Sequence, residues 1–227
     1  GYQRGFGGHF HNDNSITALR DIPGLVVACP SRGDDAAMML RTLAALAKVD
    51  GRVCAFLEPI ALYMNKDLYE PGDGGWQFAY PAPGQAVPLG EGRVYGPQAE
   101  AAEEAGVVDL LIITFGNGVP MSLRAARRIT ASHGWSVRTL DLRWLLPLNE
   151  AQIAEQASKT RRVLIVDEGR RSAGVGEGVI TALVEAGLGG KPIARVVGSD
   201  TYTPLAGAAF LVLPAEEDIV EAAGALA

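Results

Sequence analysis

Residues 107–150, VVDLLIITFGNGVPMSLRAARRITASHGWSVRTLDLRWLLPLNE, decide the fold class because they alternate between two kinds of regular structure. The apolar run Val108–Phe115 predicts a buried strand. A helix is expected over Val119–Ser132, where Pro120 suits the first helical turn. A second strand is predicted at Ser136–Leu140. The order strand, helix, strand indicates parallel strands joined by a right-handed crossover.

The same alternation runs through the rest of the chain. Further strands are predicted at Gly24–Cys29, Arg52–Leu57, Arg162–Val166 and Ile193–Val197, and further helices at Asp34–Lys48, Glu150–Ser158, Gly176–Ala186 and Glu216–Leu226. Asn149, followed three residues later by Gln152, resembles a helix capping box. The pattern predicts an α/β fold of three layers with mainly parallel sheets.

A Gly- and Pro-rich stretch suggests where the chain divides. Nine residues between positions 70 and 90 are Gly or Pro, too many for regular structure. We therefore expect a first part at residues 1–85, a linking segment at 86–106 and a second part at 107–227. For the acidic, Ala-rich portion of the linking segment, a short surface helix is one interpretation.

Composition excludes several classes of protein. The 227 residues carry a net charge of −6 without a basic run of five, which argues against non-specific nucleic-acid binding. The apolar runs are too short to span a bilayer. Two cysteines and three histidines supply too few ligands for a metal site, so we interpret Cys29 and Cys54 as buried reduced thiols. We see no signal peptide and expect a cytoplasmic protein that binds neither membrane nor nucleic acid.

The Gly-rich loop GFGGHFHNDNS near the start of the chain contains candidate chemistry. His9 and His11 lie beside Asn12 and Asp13. A histidine exchanges protons near neutral pH, and neighbouring carboxamide or carboxylate groups can fix its tautomer. A solvated polar loop is the alternative that the residue types alone favour. A metal site is a further alternative, although no third ligand lies nearby in the sequence.

Other motifs lie where strands end. The turns FGNG (Phe115–Gly118) and GVGEG (Gly174–Gly178) could suggest phosphate loops, but tight turns between strand and helix explain them better. Asp167, Glu168 and Asp200 end strands at one sheet edge, where they either line a ligand crevice or face solvent. The sequence has no G-x-S-x-G elbow, which argues against a serine hydrolase.

Taken in order, the motifs resemble the beta subunit of the thiamine-dependent decarboxylating component of 2-oxo acid dehydrogenase complexes. The resemblance covers almost the whole chain and rests on DIPGLVVACPS (21–31), FLEPIALY (56–63), DLRWLLPLNE (141–150), VLIVDEG (163–169) and GVGEG (174–178). Related 1-deoxyxylulose-5-phosphate synthases have a basic Tyr-Pro-Arg-Gly in place of the second motif. Within that motif, Glu58 is best explained as a cap of the turn that Pro59 begins.

DLRWLLPLNE is the most specific motif of the second half, since its family counterpart marks the transketolase-type C-terminal domain. Asp141 and Arg143 lie just past a predicted strand, where an ion pair between them would fix the following turn. The resemblance implies the rear half of a pyrimidine-binding domain at 1–85 and a transketolase-type C-terminal domain at 107–227. It also implies an N-terminally truncated chain, which would lack the family's cofactor-activating glutamate.

For the histidine loop, the resemblance singles out one side chain. His11 has the same spacing to Pro23-Gly24 as the histidine of the family motif His-Ser-Gln-Ser, which faces the substrate end of thiamine and the incoming lipoyl group. His11 is therefore implied as the catalytic residue. His9, Asn12 and Asp13 are implied as substrate-binding residues. This chain has His-Asn-Asp-Asn where the family has His-Ser-Gln-Ser.

The implied reaction is thiamine-dependent oxidative decarboxylation of a 2-oxo acid, of the pyruvate or branched-chain type, with acyl transfer to lipoyl. Thiamine diphosphate and Mg²⁺ are implied in the intact enzyme, held by an alpha subunit or a preceding alpha-like domain. We therefore expect no cofactor-binding or metal-binding residue here, and an inactive isolated fragment. The implied partners are that alpha part, a second copy in a homo-oligomer such as a dimer, and a lipoylated acyltransferase core. Another transketolase-like enzyme and a non-catalytic assembly or dimerisation module are the alternatives.

Overall fold

A computed structural model describes residues 6–13, 15–96 and 107–227. The strands are β1 (Val26–Ala28), β2 (Cys54–Phe56), β3 (Arg93–Tyr95), β4 (Val108–Thr114), β5 (Val137–Asp141), β6 (Trp144–Leu146), β7 (Thr160–Arg170) and β8 (Ile193–Gly198). The α-helices are α1 (His9–Asn12), α2 (Ile16–Arg20), α3 (Gly33–Val49), α4 (Gly118–His133), α5 (Glu150–Ser158), α6 (Val175–Glu185) and α7 (Glu216–Gly224). Short 3₁₀ helices cover Ile60–Leu62 and Ala206–Leu211.

The larger sheet has five strands in the order β3, β5, β4, β7, β8. All its neighbouring pairs are parallel except that of β3 with β5, which places an antiparallel strand at one edge. The central strand β4 is apolar from Leu110 to Ile113, and both of its faces are covered. Leu111 and Ile113 pack with α5 and α6, whereas Leu110 and Ile112 pack with α4 and α7. This arrangement confirms the predicted three-layer α/β fold.

A smaller sheet joins the two predicted parts of the chain. Its strand order is β2, β1, β6, with β1 parallel to β2 and antiparallel to β6. Helix α3 covers one face through Met39 and Leu43, which pack with Trp144 of β6. On the other face, Val27 belongs to the same apolar cluster as Leu111 of β4. The first and second predicted parts therefore share a sheet and a core, and the division at residues 85 and 106 stays a prediction.

Most predicted elements are confirmed to within a few residues. The capping box prediction is confirmed at its first half, because the Asn149 side chain accepts a hydrogen bond from the backbone N–H of Gln152 at 3.0 Å. The Gly- and Pro-rich stretch contains turns and irregular backbone, as expected. In the linking segment, Arg93–Tyr95 forms β3. Residues 97–106, where a short helix is one interpretation of the sequence, lie outside the described residues.

The short elements β3, β6, α1 and α2, of three to five residues, are not predicted by the sequence. The strands β1 and β2 are equally short, but each lies within a longer apolar stretch that indicates a strand. Within the described ranges, no helix is both long enough and apolar enough to cross a membrane.

Candidate functional site

The predicted histidine loop folds as one helical turn, α1. Two glycines allow the chain to enter it, because Gly7 and Gly8 have φ angles of 72° and 60°, in the left-handed region that favours glycine. A Cβ atom at Gly7 would collide with the His11 ring. The His11 side chain is exposed and that of His9 is half-buried. The His11 ring therefore lies against the backbone of Gly7 and remains exposed to solvent.

Asn12 is buried and holds this turn together. Its side-chain amide donates hydrogen bonds to the carbonyl oxygens of Gly8 at 2.6 Å and Phe6 at 3.2 Å. These bonds span the two left-handed glycines and fix the path of the backbone into the helical turn. The amide nitrogen of Asn12 is thus engaged by the protein itself.

Asp13 pairs with a residue that sequence reasoning did not single out. Its Oδ2 atom lies 2.5 Å from Nη2 of Arg170, at the end of β7. Nε of Arg170 donates to the carbonyl oxygen of Thr201 at 3.1 Å. The guanidinium also lies 5.3 Å from the ring centre of Tyr202, whose ring is 5.0 Å from that of His9. The ion pair of Asp13 with Arg170 therefore attaches the end of the histidine loop to the large sheet.

A cavity of about 370 Å³ lies beside this ion pair, at the carboxyl ends of β7 and β8. Its polar lining residues are Asn12, Asp13, Ser15, Thr17, Asp167, Glu168, Arg170, Ser172, Ser199, Thr201 and Thr203. The structure thus brings Asn12 and Asp13 together in one cavity. His9 and His11 are not among its lining residues. Ligands of open α/β sheets commonly bind outside the carboxyl ends of the strands, and this cavity occupies that position.

The acids at the sheet edge differ in their surroundings. Asp167 accepts hydrogen bonds from the backbone of Gly169 and Gly176, yet burial raises its pKa above the usual range. Burial also raises the pKa of Glu168 well above its usual range, and its Oε2 atom has no hydrogen-bond partner within the described part of the chain. Asp200 instead bonds to Ser172, which lowers its pKa. Two of the three acids therefore line the cavity, and the third fixes a neighbouring loop.

The predicted ion pair between Asp141 and Arg143 is wrong, because Arg143 pairs elsewhere. Its guanidinium lies 2.9 Å from the buried carboxylate of Asp35, and only its backbone N–H reaches Asp141, at 3.1 Å. The backbone of Arg143 is left-handed, with φ at 57°, and its side chain extends to Asp35. Asp141 accepts a hydrogen bond from the Ser31 hydroxyl. Burial raises the pKa of Asp141 to about 7.

The remaining motifs have structural roles in the described residues. The Tyr63 hydroxyl donates to Glu58, beside the short 3₁₀ helix that follows Pro59. The FGNG turn closes on itself through a hydrogen bond from Gly118 N–H to Phe115 at 3.0 Å. Both cysteines are free thiols, Cys29 buried and Cys54 half-buried. Over the described ranges, no group of three or more His, Cys, Asp or Glu side chains could hold a metal ion.

Sequence reasoning missed Arg170 and Tyr202, because their partners lie far away along the chain. The pair Asp13–Arg170 joins positions 157 residues apart. The available signal was the run Asp-Glu-Gly-Arg-Arg (167–171), in which two arginines follow the acids at the predicted strand end after one glycine.

The fold defines the class of protein first. A solved structure titled "Split gene transketolase, inactive beta4 tetramer" is similar in fold to this chain. That structure matches with a TM-score of 0.67 over 93% of this chain and 60% of its own. At 21% sequence identity, this likeness shows the fold alone.

The family follows from the sequence itself. The model of the transketolase C-terminal domain family matches residues 99–216, and the chain belongs to that family. It is also 32% identical over 217 residues to the pyruvate dehydrogenase E1 component subunit beta of Staphylococcus epidermidis. The same subunit of Staphylococcus aureus is 32% identical over 215 residues. The chain spans 59% of the length of both relatives, and they cover 95% and 94% of it. The resemblance to a beta subunit is thereby confirmed.

Proposed function

We propose that this chain is the beta-like part of a thiamine-diphosphate-dependent 2-oxo acid dehydrogenase of the pyruvate or branched-chain type. The observation that carries the proposal is 32% identity to pyruvate dehydrogenase E1 beta subunits over 95% of the chain. The whole enzyme would oxidatively decarboxylate a 2-oxo acid and transfer the acyl group to lipoyl. The beta-like part would contribute one wall of the active site.

Within that wall, we propose His11 as the catalytic residue. Its side chain is exposed, on a turn held by the Asn12 amide and by the pairing of Asp13 with Arg170. An exposed imidazole on a fixed turn can deliver or accept a proton at a defined position. His9, Asn12 and Asp13 are the proposed substrate-binding residues. Two of them, Asn12 and Asp13, line the adjacent cavity, which supports a role near a bound molecule.

At the carboxyl edge of the large sheet, the start of α6 and the side chain of Asp167 are poorly suited to thiamine diphosphate and Mg²⁺. A diphosphate needs free backbone N–H groups at a helix start, but Gly176 at the start of α6 already donates to Asp167 at 2.8 Å. Asp167 itself is buried and bonded to two backbone groups, which makes it a poor Mg²⁺ ligand. We propose that an alpha subunit or a preceding alpha-like domain holds both, and that the isolated chain binds neither and is inactive.

Calorimetry with thiamine diphosphate and Mg²⁺ tests the assignment of the cofactor to the partner. We expect no binding by the isolated chain, and stoichiometric binding once the alpha-type part is added. Tight, stoichiometric binding by the chain alone would contradict the assignment.

Assembly is part of the proposal. Phe10 and Leu211 are 83% and 84% exposed, and such large apolar side chains in water favour association. The proposed partners are the alpha-type part, a second copy of this chain and a lipoylated acyltransferase core. These exposed side chains also favour the second candidate function, a non-catalytic assembly or dimerisation module.

Turnover separates these functions. The intact protein would be combined with its alpha-type subunit, thiamine diphosphate and Mg²⁺, and offered pyruvate, a branched-chain 2-oxo acid or a ketose donor with an aldose acceptor. Oxidation of a 2-oxo acid with an artificial electron acceptor is the expected result. Ketol transfer would identify another transketolase-like enzyme. A stable complex without either reaction would support the assembly module.

A further inference from the structure

We propose that Arg170 is a positioning residue, which fixes the histidine turn, defined as residues 9–13, through its ion pair with Asp13. The inference rests on the proposed function in assigning His11 to the active site. It extends that function by naming a residue of the large sheet that determines where His11 is held.

Arg170 is well placed to act as an anchor. It ends β7, the longest strand of the described residues, and is paired in register with Gly198 of β8. Its two engaged nitrogens point to different elements, Nη2 to Asp13 and Nε to the carbonyl oxygen of Thr201. A guanidinium presents its donors in a rigid fork, so two simultaneous bonds fix its plane. The carboxylate of Asp13 is thereby held at a defined distance from the sheet.

A second contact reaches the other end of the turn. The Tyr202 ring contacts both groups, since its centre is 5.3 Å from the Arg170 guanidinium and 5.0 Å from the centre of the His9 ring. Contacts between a cation and an aromatic face are weak at exposed sites, so this contact supplements the ion pair and does not replace it. Arg170 therefore acts on both ends of the histidine turn, on Asp13 directly and on His9 through Tyr202.

The turn depends on such support. A helix of four residues is unstable on its own, because one turn of hydrogen bonds does not offset the entropy of ordering it. Its entry through Gly7 and Gly8 uses residues with large backbone freedom. The following helix α2 is also tied to the loop after β7, since the Thr17 hydroxyl donates to Ala173 at 2.9 Å. The end of β7 and the loop that follows it thus hold both the histidine turn and α2 against the large sheet.

A difference from the family motif at position 13 also supports a positioning role for Arg170. The motif that this loop resembles has an uncharged Gln where this chain has Asp13. The Asp13 side chain is 18% exposed and pairs with Arg170, whose side chain is 40% exposed, so the carboxylate has a cationic partner that the uncharged Gln would not require. Because two of its nitrogens are already engaged, Arg170 is less suited to bind a substrate carboxylate directly.

Histidine NMR spectra of the full chain test the proposal without any assay of activity. The chain has three histidines, which makes selective labelling of the imidazoles simple to interpret. His9 and His11 report on the turn. His133, at the end of α4 and bonded to Ser132 at 2.7 Å, serves as an internal reference for correct folding.

In Arg170→Met, we expect the His9 and His11 signals to move or broaden while that of His133 stays unchanged. Asp13→Asn should give the same pattern, and the double variant should add nothing further. Arg170→Lys should restore part of the wild-type spectrum because it keeps the charge. Arg171→Met is the matched control, since it removes an adjacent arginine that does not contact the turn in any described ion pair.

Wild-type His9 and His11 signals in Arg170→Met, or changes no larger than those in Arg171→Met, would overturn the proposal. In the intact enzyme, Arg170→Met should lower kcat more than it raises KM, because His11 would be misplaced and not removed. If the spectra respond but no 2-oxo acid is turned over, the positioning role stands and the proposed function fails. If the spectra stay unchanged and turnover is normal, the positioning role fails and the proposed function stands.

Discussion

Asp141→Asn offers a quantitative test of the buried network between the two sheets. Asp141 is fully buried at the end of β5, where it accepts hydrogen bonds from the Ser31 hydroxyl and the backbone N–H of Arg143. Asparagine has the same shape and keeps an acceptor oxygen, but it cannot ionise. Its NH2 group replaces one of the two acceptor oxygens, which costs a hydrogen bond at every pH, so the buried charge is read from the pH dependence of the difference from wild type.

The magnitude follows from the shift in pKa. Burial raises the pKa of Asp141 from 3.8 to about 7, against the opposing effects of Ser31 and Arg143. Each pKa unit corresponds to about 1.36 kcal/mol, so the shift amounts to about 4 kcal/mol. Between about pH 4 and pH 7 the folded protein keeps a proton that the unfolded chain has lost. Ionisation of Asp141 in the unfolded chain thus lowers the free energy of unfolding as pH rises through this range, and the loss is complete above about pH 7.

Urea unfolding at several pH values between about 4.5 and 8 measures this effect. We expect Asp141→Asn to gain stability relative to wild type by up to about 4 kcal/mol across that interval, with most of the change complete by about pH 7. Asp109→Asn is the control with opposite sign, since hydrogen bonds from Ser136 lower the pKa of that carboxylate. Parallel pH profiles for wild type and Asp141→Asn would refute the reasoning.

Three further predictions concern other buried or strained positions. Glu168→Gln should leave stability unchanged or increase it at about pH 8, as measured by thermal unfolding. The reason is that burial raises the pKa of this carboxyl group, and its Oε2 atom has no described hydrogen-bond partner. Gly7→Ala should cost about 1 kcal/mol or more in urea unfolding and shift the His11 NMR signal, since φ is 72° and the added Cβ would meet that ring. Asp35→Asn should cost about 3 kcal/mol in urea unfolding, because it leaves Arg93 and Arg143 without their shared buried carboxylate; a loss below about 1 kcal/mol would contradict that estimate.

The sequence predicts the large sheet well because its strands are covered on both faces. A continuous apolar run such as Leu110–Ile113 identifies a buried strand without knowledge of its neighbours. The helices between these strands have the spacing of apolar residues that packing on one face requires. By contrast, β6 has three residues and pairs with β1 from the distant first part. Its pairing depends on contacts that no local pattern reveals.

The candidate site is predictable only in part, for the same reason. The residue types and spacing of the loop indicate His11, together with Asn12 and Asp13. The partner of Asp13 lies on β7, and the ring that contacts His9 belongs to Tyr202, after β8. Which arginine meets which acid is decided by the three-dimensional arrangement of the sheet, as the exchange of the expected Asp141–Arg143 pair for Asp35–Arg143 also shows.

The measurement that tests the central claim most directly is a pair of assays on the intact protein assembled with its alpha-type subunit, thiamine diphosphate and Mg²⁺. One assay follows 2-oxo acid decarboxylation with an artificial electron acceptor, and the other follows acyl transfer to a lipoylated acceptor. We expect His11→Ala to lower acyl transfer strongly, with thiamine diphosphate affinity nearly unchanged, and His9→Ala to have the smaller effect. If His11→Ala equals wild type in both assays, the histidine turn is only scaffold and the proposed active site is wrong.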